Sequence, residues 1–169
     1  LLKINISTGE QFEISHEFNV LTGSQGGLLD VLYNNNYVYF TYSHNRGYWY
    51  SSTAIARGKL ISDNIIGTET LLIAEPKINK SIHFGSRIII KDNYLFASLG
   101  ERGRGMIAQD PTTHPGSIIR IHLDGSVPSD NPKFIDQPTW LPEIYQIGVR
   151  NPQGMTLSPF DHNVYISNH

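Results

Sequence analysis

The chain has 169 residues, 39% of them hydrophobic and 17% charged. That is enough for one domain with its own core, and no apolar run of about 18 residues or more is present to span a membrane. The formal net charge is −2 and the basic residues are scattered, which argues against a nucleic-acid surface. The absence of cysteine excludes disulfides, thiolate metal sites and a cysteine nucleophile, without fixing the compartment.

In chain order, strand signals dominate: alternating or β-branched runs broken by Asn, Asp, Gly and Pro, with no long helical period. The expected strands are 27–33 and 37–43, then 51–60 and 68–74. A second set follows at 85–91, 94–99, 117–123 and 143–149. A third begins at 155–158 and 163–167.

The arrangement repeats. Gly27-Leu-Leu-Asp-Val-Leu-Tyr, an Asn-rich turn and Tyr37-Val-Tyr-Phe correspond to Gly85-Ser-Arg-Ile-Ile-Ile-Lys, Asp92-Asn93 and Tyr94-Leu-Phe-Ala. They correspond again to Gly154-Met-Thr-Leu-Ser-Pro-Phe, Asp161-His162-Asn163 and Val164-Tyr-Ile-Ser. The three glycines stand 58 and 69 residues apart, with about four strands from one to the next. Polar turns this tight favour antiparallel hairpins. A four-stranded antiparallel unit repeated at this interval points to an all-β fold, a β-propeller of which the chain is a fragment of roughly two and a half blades. A β-sandwich is the alternative. The blades are expected at about 27–76 and 85–150, with a third starting at 154–169, in one partial domain spanning 1–169. The chain opens at Leu1 without methionine or leader and stops at His169 directly after a strand-like run, so it reads as part of a longer sequence. Bare blade faces and edges favour association, and a homo-oligomer is among the expectations.

The innermost strand of each blade lines the central channel, so the residues just before Gly27, Gly85 and Gly154 are expected to converge there. They are Gln25, His83 and the run Arg150-Asn151-Pro152-Gln153. A hairpin joins the strand after His83 to the one ending at Leu99, which places Glu101 beside His83. A carboxylate there would fix the histidine's tautomer and raise its basicity, a general-base arrangement. Each has a plainer reading: a structural histidine, an arginine pairing across blades, a turn-forming Asn-Pro. Gly100–Gly105 lacks phosphate-loop spacing and reads as a flexible loop with a ligand-facing arginine. His114 is either structural or near the channel mouth, and His16, His44, His122 and His162 read as solvent-facing or turn residues. No His-x-x-x-His pair or EF-hand loop marks a metal site, and no metal-ligating residue is assigned; a calcium site built of carbonyls would leave no motif.

Six segments in order carry a resemblance: Gln25-Gly-Gly-Leu-Leu-Asp-Val, His83-Phe-Gly-Ser-Arg, Leu99-Gly-Glu-Arg-Gly, Ala108-Gln-Asp, Gly125-Ser-Val-Pro-Ser-Asp-Asn-Pro and Gly148-Val-Arg-Asn-Pro-Gln-Gly. From about Gly23 onward the chain resembles the glucose/sorbosone dehydrogenase family, which includes soluble PQQ glucose dehydrogenases and aldose sugar dehydrogenases. The resemblance implies a six-bladed propeller with PQQ over the channel and calcium beside the quinone, working in the bacterial periplasm or secreted. It implies oxidation of an aldose at the anomeric hydroxyl by hydride transfer to PQQ, with electrons passed to a separate acceptor. His83 matches the family's general base. Glu101 stands where the family has an aspartate orienting that histidine. Gln25 matches a residue beside sugar and cofactor, and Arg150 and Asn151 match residues near the quinone oxygens, with Gln153 grouped with them at the cofactor; Arg150 also counts with His83 and Glu101 as catalytic, a cation able to stabilise charge developing on the reduced quinone. Ser167-Asn168-His169 aligns with a family Glu-His-Gly-Pro segment, with Asn168 in place of the glutamate. Two other functions are weighed: a non-enzymatic propeller acting as a binding module, and a hydrolytic propeller such as a lactonase, which would need several carboxylate or Asn metal ligands at the channel, where only Glu101 and Asn151 are visible.

Overall fold

Asn35 and Asn36 both take left-handed φ values, 49° and 65°, and so do Asp92 and Asn93, at 51° and 64°. Two consecutive left-handed residues make the hairpin turn whose twist matches that of its strands, and Asn and Asp tolerate it best. The turns join β3 (Leu28–Asn34) to β4 (Tyr37–Asn45) and β7 (Gly85–Lys91) to β8 (Tyr94–Leu99). The computed structural model describes residues 1–133 and 139–169; residues 134–138, within the expected second blade, lie outside them.

The first four-stranded antiparallel sheet runs β3-β4-β5-β6, with β5 at Ser51–Ile61 and β6 at Asn64–Ile73. The second runs β7-β8-β9-β10, with β9 at Ser117–His122 and β10 at Ile144–Ile147. β11 (Pro152–Leu157) and β12 (Val164–Asn168) form a two-stranded antiparallel sheet. Among the described residues there is no α-helix, only a 3₁₀ turn at Gly105–Gln109. β7 packs against β3 on one side and β11 on the other, so the first strands of successive sheets are neighbours, as the inner strands of propeller blades are.

The strand period of two explains the stacking. Leu95, Ala97 and Leu99 of β8 face the first sheet and pack with Tyr39, Ile55, Ile119 and Ile121, all 2% exposed or less. The alternate residue, Phe96, faces the third sheet and packs with Ile118, Val149, Met155, Val164 and Ile166. A sheet apolar on both faces must be covered on both, which a stack of blades achieves. A buried polar contact crosses the first gap: Thr41 Oγ1 donates to the Ser86 carbonyl at 2.6 Å.

The residues before β3 show what the repeat does not contain. Leu2–Ile4 and Gln11–Glu13 pair as a small hairpin, β1-β2, followed by an irregular segment. Ile14, Phe18 and Val20 of that segment cover Val38, Phe40, Tyr42, Ala54 and Ile65, the face of the first sheet turned away from the second. His16 and His44 are half-buried at the ends of a ring stack through Phe18 and Tyr42, neither solvent-facing nor in a turn; His122 packs on Tyr94 and opens a turn, its carbonyl accepting the Gly125 N–H, and His162 is exposed.

Candidate active site

His83 precedes β7 and Glu101 follows β8, and the antiparallel pairing of Gly85 with Leu99 brings both to the same end of the sheet. The close approach requires glycine on each chain. A Cβ on Gly85 would lie 2.7 Å from the Gly100 nitrogen, and Gly85 has φ +64°. His83 itself takes φ +53°, a left-handed conformation that costs a side-chain-bearing residue about 1–3 kcal/mol and persists only where its surroundings over-determine it. The surroundings do so. The His83 N–H donates to Gln25 Oε1 at 2.8 Å, and its carbonyl accepts the Arg102 N–H at 3.2 Å.

The Glu101 side chain is 3% exposed, and its Oε1 is bonded to His83 Nδ1. Its Oε2 accepts the Gly105 N–H at 2.5 Å. Burial pushes the Glu101 carboxyl up. The bond to His83, the backbone N–H groups of Gly105 and Arg104 and the attraction of the imidazole outweigh it, and the carboxyl titrates below the ordinary glutamate value. An ionised carboxylate only accepts, so Nδ1 carries the ring proton. Nε2 has no partner among the described residues, on a ring that lines a cavity, and in the neutral imidazole it is the lone-pair nitrogen.

The cavity holds about 420 Å³ and joins the inner ends of all three sheets. Gln25, Leu28 and Leu29 come from the first, His83, Phe84, Gly85 and Arg87 from the second, and Asn151, Gln153 and His169 from the third. Asn151 Oδ1 accepts from the Gly85 N–H at 3.0 Å and from Gln153 Nε2 at 2.9 Å, so its Nδ2 is its remaining donor. Asn168 Oδ1 accepts the N–H groups of both Arg150 and Asn151, at 3.0 and 3.1 Å, fixing the turn into β11. The Arg150 side chain does not line the cavity. Its Nη1 lies 2.6 Å from His169 Nδ1 and 3.2 Å from the His169 carbonyl, so it backs a residue that does.

Three features escaped the sequence reading. Arg87 lines the cavity; its Nη1 donates to the Leu29 carbonyl at 3.2 Å and lies 3.8 Å from Asp30. The period-two run His83, Gly85, Arg87 was its signal. His169 carried no signal beyond the terminal segment. The third is Arg102: in the 100–105 loop, which reads as flexible with a ligand-facing arginine, this arginine is 2% exposed and turned inward, over the Phe84 ring, while Arg104 is exposed. His114 proves structural. It is buried, accepts the Glu75 N–H at Nδ1 (2.9 Å) and donates from Nε2 to Glu143 (2.7 Å).

The family model for glucose/sorbosone dehydrogenase matches residues 2–169. The chain belongs to that family. It is 32% identical over 159 residues to the aldose sugar dehydrogenase YliI of Escherichia coli K12, a match covering 89% of this chain and 43% of the relative. It is 26% identical over 198 residues to quinoprotein glucose dehydrogenase B of Acinetobacter calcoaceticus, covering 94% and 39%. The apo crystal structure of the soluble aldose sugar dehydrogenase from Escherichia coli superposes with a TM-score of 0.92 at 29% identity, covering 99% of this chain and 50% of that one. The chain thus spans half or less of the length of these relatives. The fold is a propeller, and the chain carries a part of it.

The donor set suits a flat anionic quinone such as PQQ: amides of Gln25, Asn151 and Gln153, the Arg87 cation and an apolar floor of Leu28, Leu29 and Phe84. No group of three or more His, Asp or Glu among the described residues could hold a cation, Asn168 Oδ1 is spent on backbone N–H groups, and Glu101 on His83 and Gly105.

Proposed function

We propose that the protein to which this chain belongs is a PQQ-dependent dehydrogenase that oxidises an aldose at its anomeric hydroxyl, and that this chain supplies the general-base side of its active site. The blades are taken as about 27–76, 85–150 and the start of a third at 154–169. The observation that carries the reading is the His83–Glu101 pair at a cavity where three sheets converge. Family membership and the kinship with an aldose sugar dehydrogenase and a quinoprotein glucose dehydrogenase support it.

In this reading His83 Nε2 takes the proton from the anomeric hydroxyl as the C1 hydride leaves. Glu101 holds Nδ1–H and so keeps Nε2 aimed at the hydroxyl, and its charge stabilises the imidazolium that results. Glutamate in place of the family's aspartate is accommodated by the buried pairing itself: the longer side chain reaches His83 with one oxygen and Gly105 with the other. Bound PQQ supplies the two-electron acceptor for the hydride. Gln25, Asn151 and Gln153 would hold its polar groups, Arg87 would offset its negative charge, and Arg150 would add positive charge beside His169. Calcium, which the resemblance implies, enters no step here; oxygen ligands such as backbone carbonyls would have to hold it. The product is a lactone, and the electrons leave to a separate acceptor. The periplasm or the cell exterior is the proposed location, on the resemblance alone; among the described residues no helix is long and apolar enough to cross a membrane.

The test is a titration of the full-length apoprotein with PQQ, followed by cofactor absorbance, and then addition of an aldose. Saturable binding and sugar-dependent reduction are expected. His83→Ala should lower kcat by about 10²–10⁴ while PQQ still binds. A folded full-length protein that binds no PQQ would refute the enzyme and leave a non-enzymatic binding propeller.

A further inference from the structure

We infer that Arg102 is a positioning residue for His83: its guanidinium clamps the 80–84 segment to the first sheet and so fixes the direction in which the His83 ring points. The inference rests on the reading of His83 as the base.

The Arg102 guanidinium is buried and meets only neutral acceptors among the described residues. Nε donates to the Ile82 carbonyl at 3.1 Å, and Nη2 donates to the Lys80 carbonyl. Nη1 and Nη2 reach the carbonyl and hydroxyl of Ser51, at 3.2 and 2.8 Å. The group lies 3.8 Å from the centre of the Phe84 ring, and the backbone N–H of the same residue holds the His83 carbonyl. Residues 80, 82, 83 and 84 are therefore all gripped by one arginine. Ser51, the first residue of β5, anchors that arginine to the neighbouring sheet and is itself paired with Ile78 through both backbone hydrogen bonds, at 3.0 and 2.9 Å.

A buried cation without a carboxylate is costly, and the cost shows: burial pulls the Arg102 guanidinium down to about 10. An apolar residue would fill the space without that penalty, so the arginine's return lies in its rigid fork of donors, which meets carbonyls of two segments at once. The segment it grips needs such restraint, since His83 sits in a left-handed conformation immediately before the inner strand. Glu101 fixes the ring proton from one side. Arg102, its immediate neighbour in the chain, fixes the backbone that carries the ring.

The experiment uses the full-length protein and reads the His83 ring nitrogens by NMR alongside steady-state kinetics with PQQ and an aldose. In the native protein the ring should show a single tautomer, protonated at Nδ1. Arg102→Met should give an averaged tautomer signal and a kcat lower by about tenfold or more, with KM and PQQ affinity within about threefold. Arg102→Lys, which keeps the charge and loses the fork, should rescue little. A folded Arg102→Met protein with native ring signals and native kcat would overturn the inference, as would full rescue by lysine. Should Arg102→Met fail to fold, Ser51→Ala removes one acceptor without changing charge: displaced His83 signals support the clamp, and unchanged ones overturn it. A native protein that oxidises no sugar would defeat the reading of His83 as the base, while the ring signals would still decide whether Arg102 positions it.

Discussion

The α-carbon of Gly100 faces the carbonyl oxygen of His83 so closely that a Cβ on it would stand 2.0 Å from that oxygen. The contact is backbone against backbone, so no side-chain rotation relieves it. Gly100→Ala must push the His83 carbonyl away, breaking its bond from the Arg102 N–H and moving the ring off Glu101. The expected cost is about 1–3 kcal/mol of stability, by analogy with overpacked sites, together with loss of the His83 tautomer signal. A denaturant midpoint equal to that of the native protein would contradict the geometry.

Glu101 links the site to acid stability. Its carboxyl titrates at 4.5 in the unfolded chain and lower when folded, because the bonds from His83, Gly105 and Arg104 outweigh the burial that pushes it up. Between those two values the unfolded state binds more protons. The contribution to stability is therefore complete above about pH 4.5 and is lost as the pH falls through the folded value. Glu101→Gln should flatten this part of the acid limb, and in the PQQ-loaded protein lower kcat by about tenfold or more. Urea melts of both proteins at pH 7 and near pH 3.5 decide it: an identical drop in both would sink the assignment.

His114 separates stability from function. It is buried, bonded to Glu143 and Glu75, and does not line the cavity. The hydrogen bond from His114 keeps the Glu143 carboxyl below its ordinary range against the effect of burial. His114→Ala leaves a half-buried carboxylate unpaired, for an expected loss of about 1–3 kcal/mol. Turnover per folded molecule should stay within about twofold of native. A large fall in kcat at full folding would place His114 in the site after all.

The gap between the first two sheets is the place to test the stacking. Leu95 is fully buried there among Tyr39, Ile55, Ile119 and Ile121. Leu95→Ala should cost about 2–5 kcal/mol, since close-packed strands cannot collapse into the space. Thermal or urea unfolding measures it; a loss below about 1 kcal/mol would mean that the two sheets do not bury this face against each other.

The sequence alone determined the strands and the repeat. Tight turns such as Asn35-Asn36 and Asp92-Asn93 are local chemistry, dictated by which residues tolerate a left-handed backbone, and the period of two in β8 follows from the strand itself. The repeat also predicted that Gln25, His83 and the 150–153 run would approach one another, because equivalent positions in stacked sheets must. It did not disclose the N-terminal hairpin, or the segment that caps the first sheet, since neither belongs to the repeat. Nor did it reveal which way individual side chains turn at loops. The 100–105 loop reads as flexible with a ligand-facing arginine, yet its Arg102 is buried, because its partners are carbonyls of residues 51, 80 and 82, which no residue-type pattern announces. Arg150 reads as a cavity residue and instead backs His169. Alternation fixes side-chain direction only inside a strand; at a strand's end the direction is decided by what the neighbouring sheet offers to bond with, and only the tertiary structure supplies that.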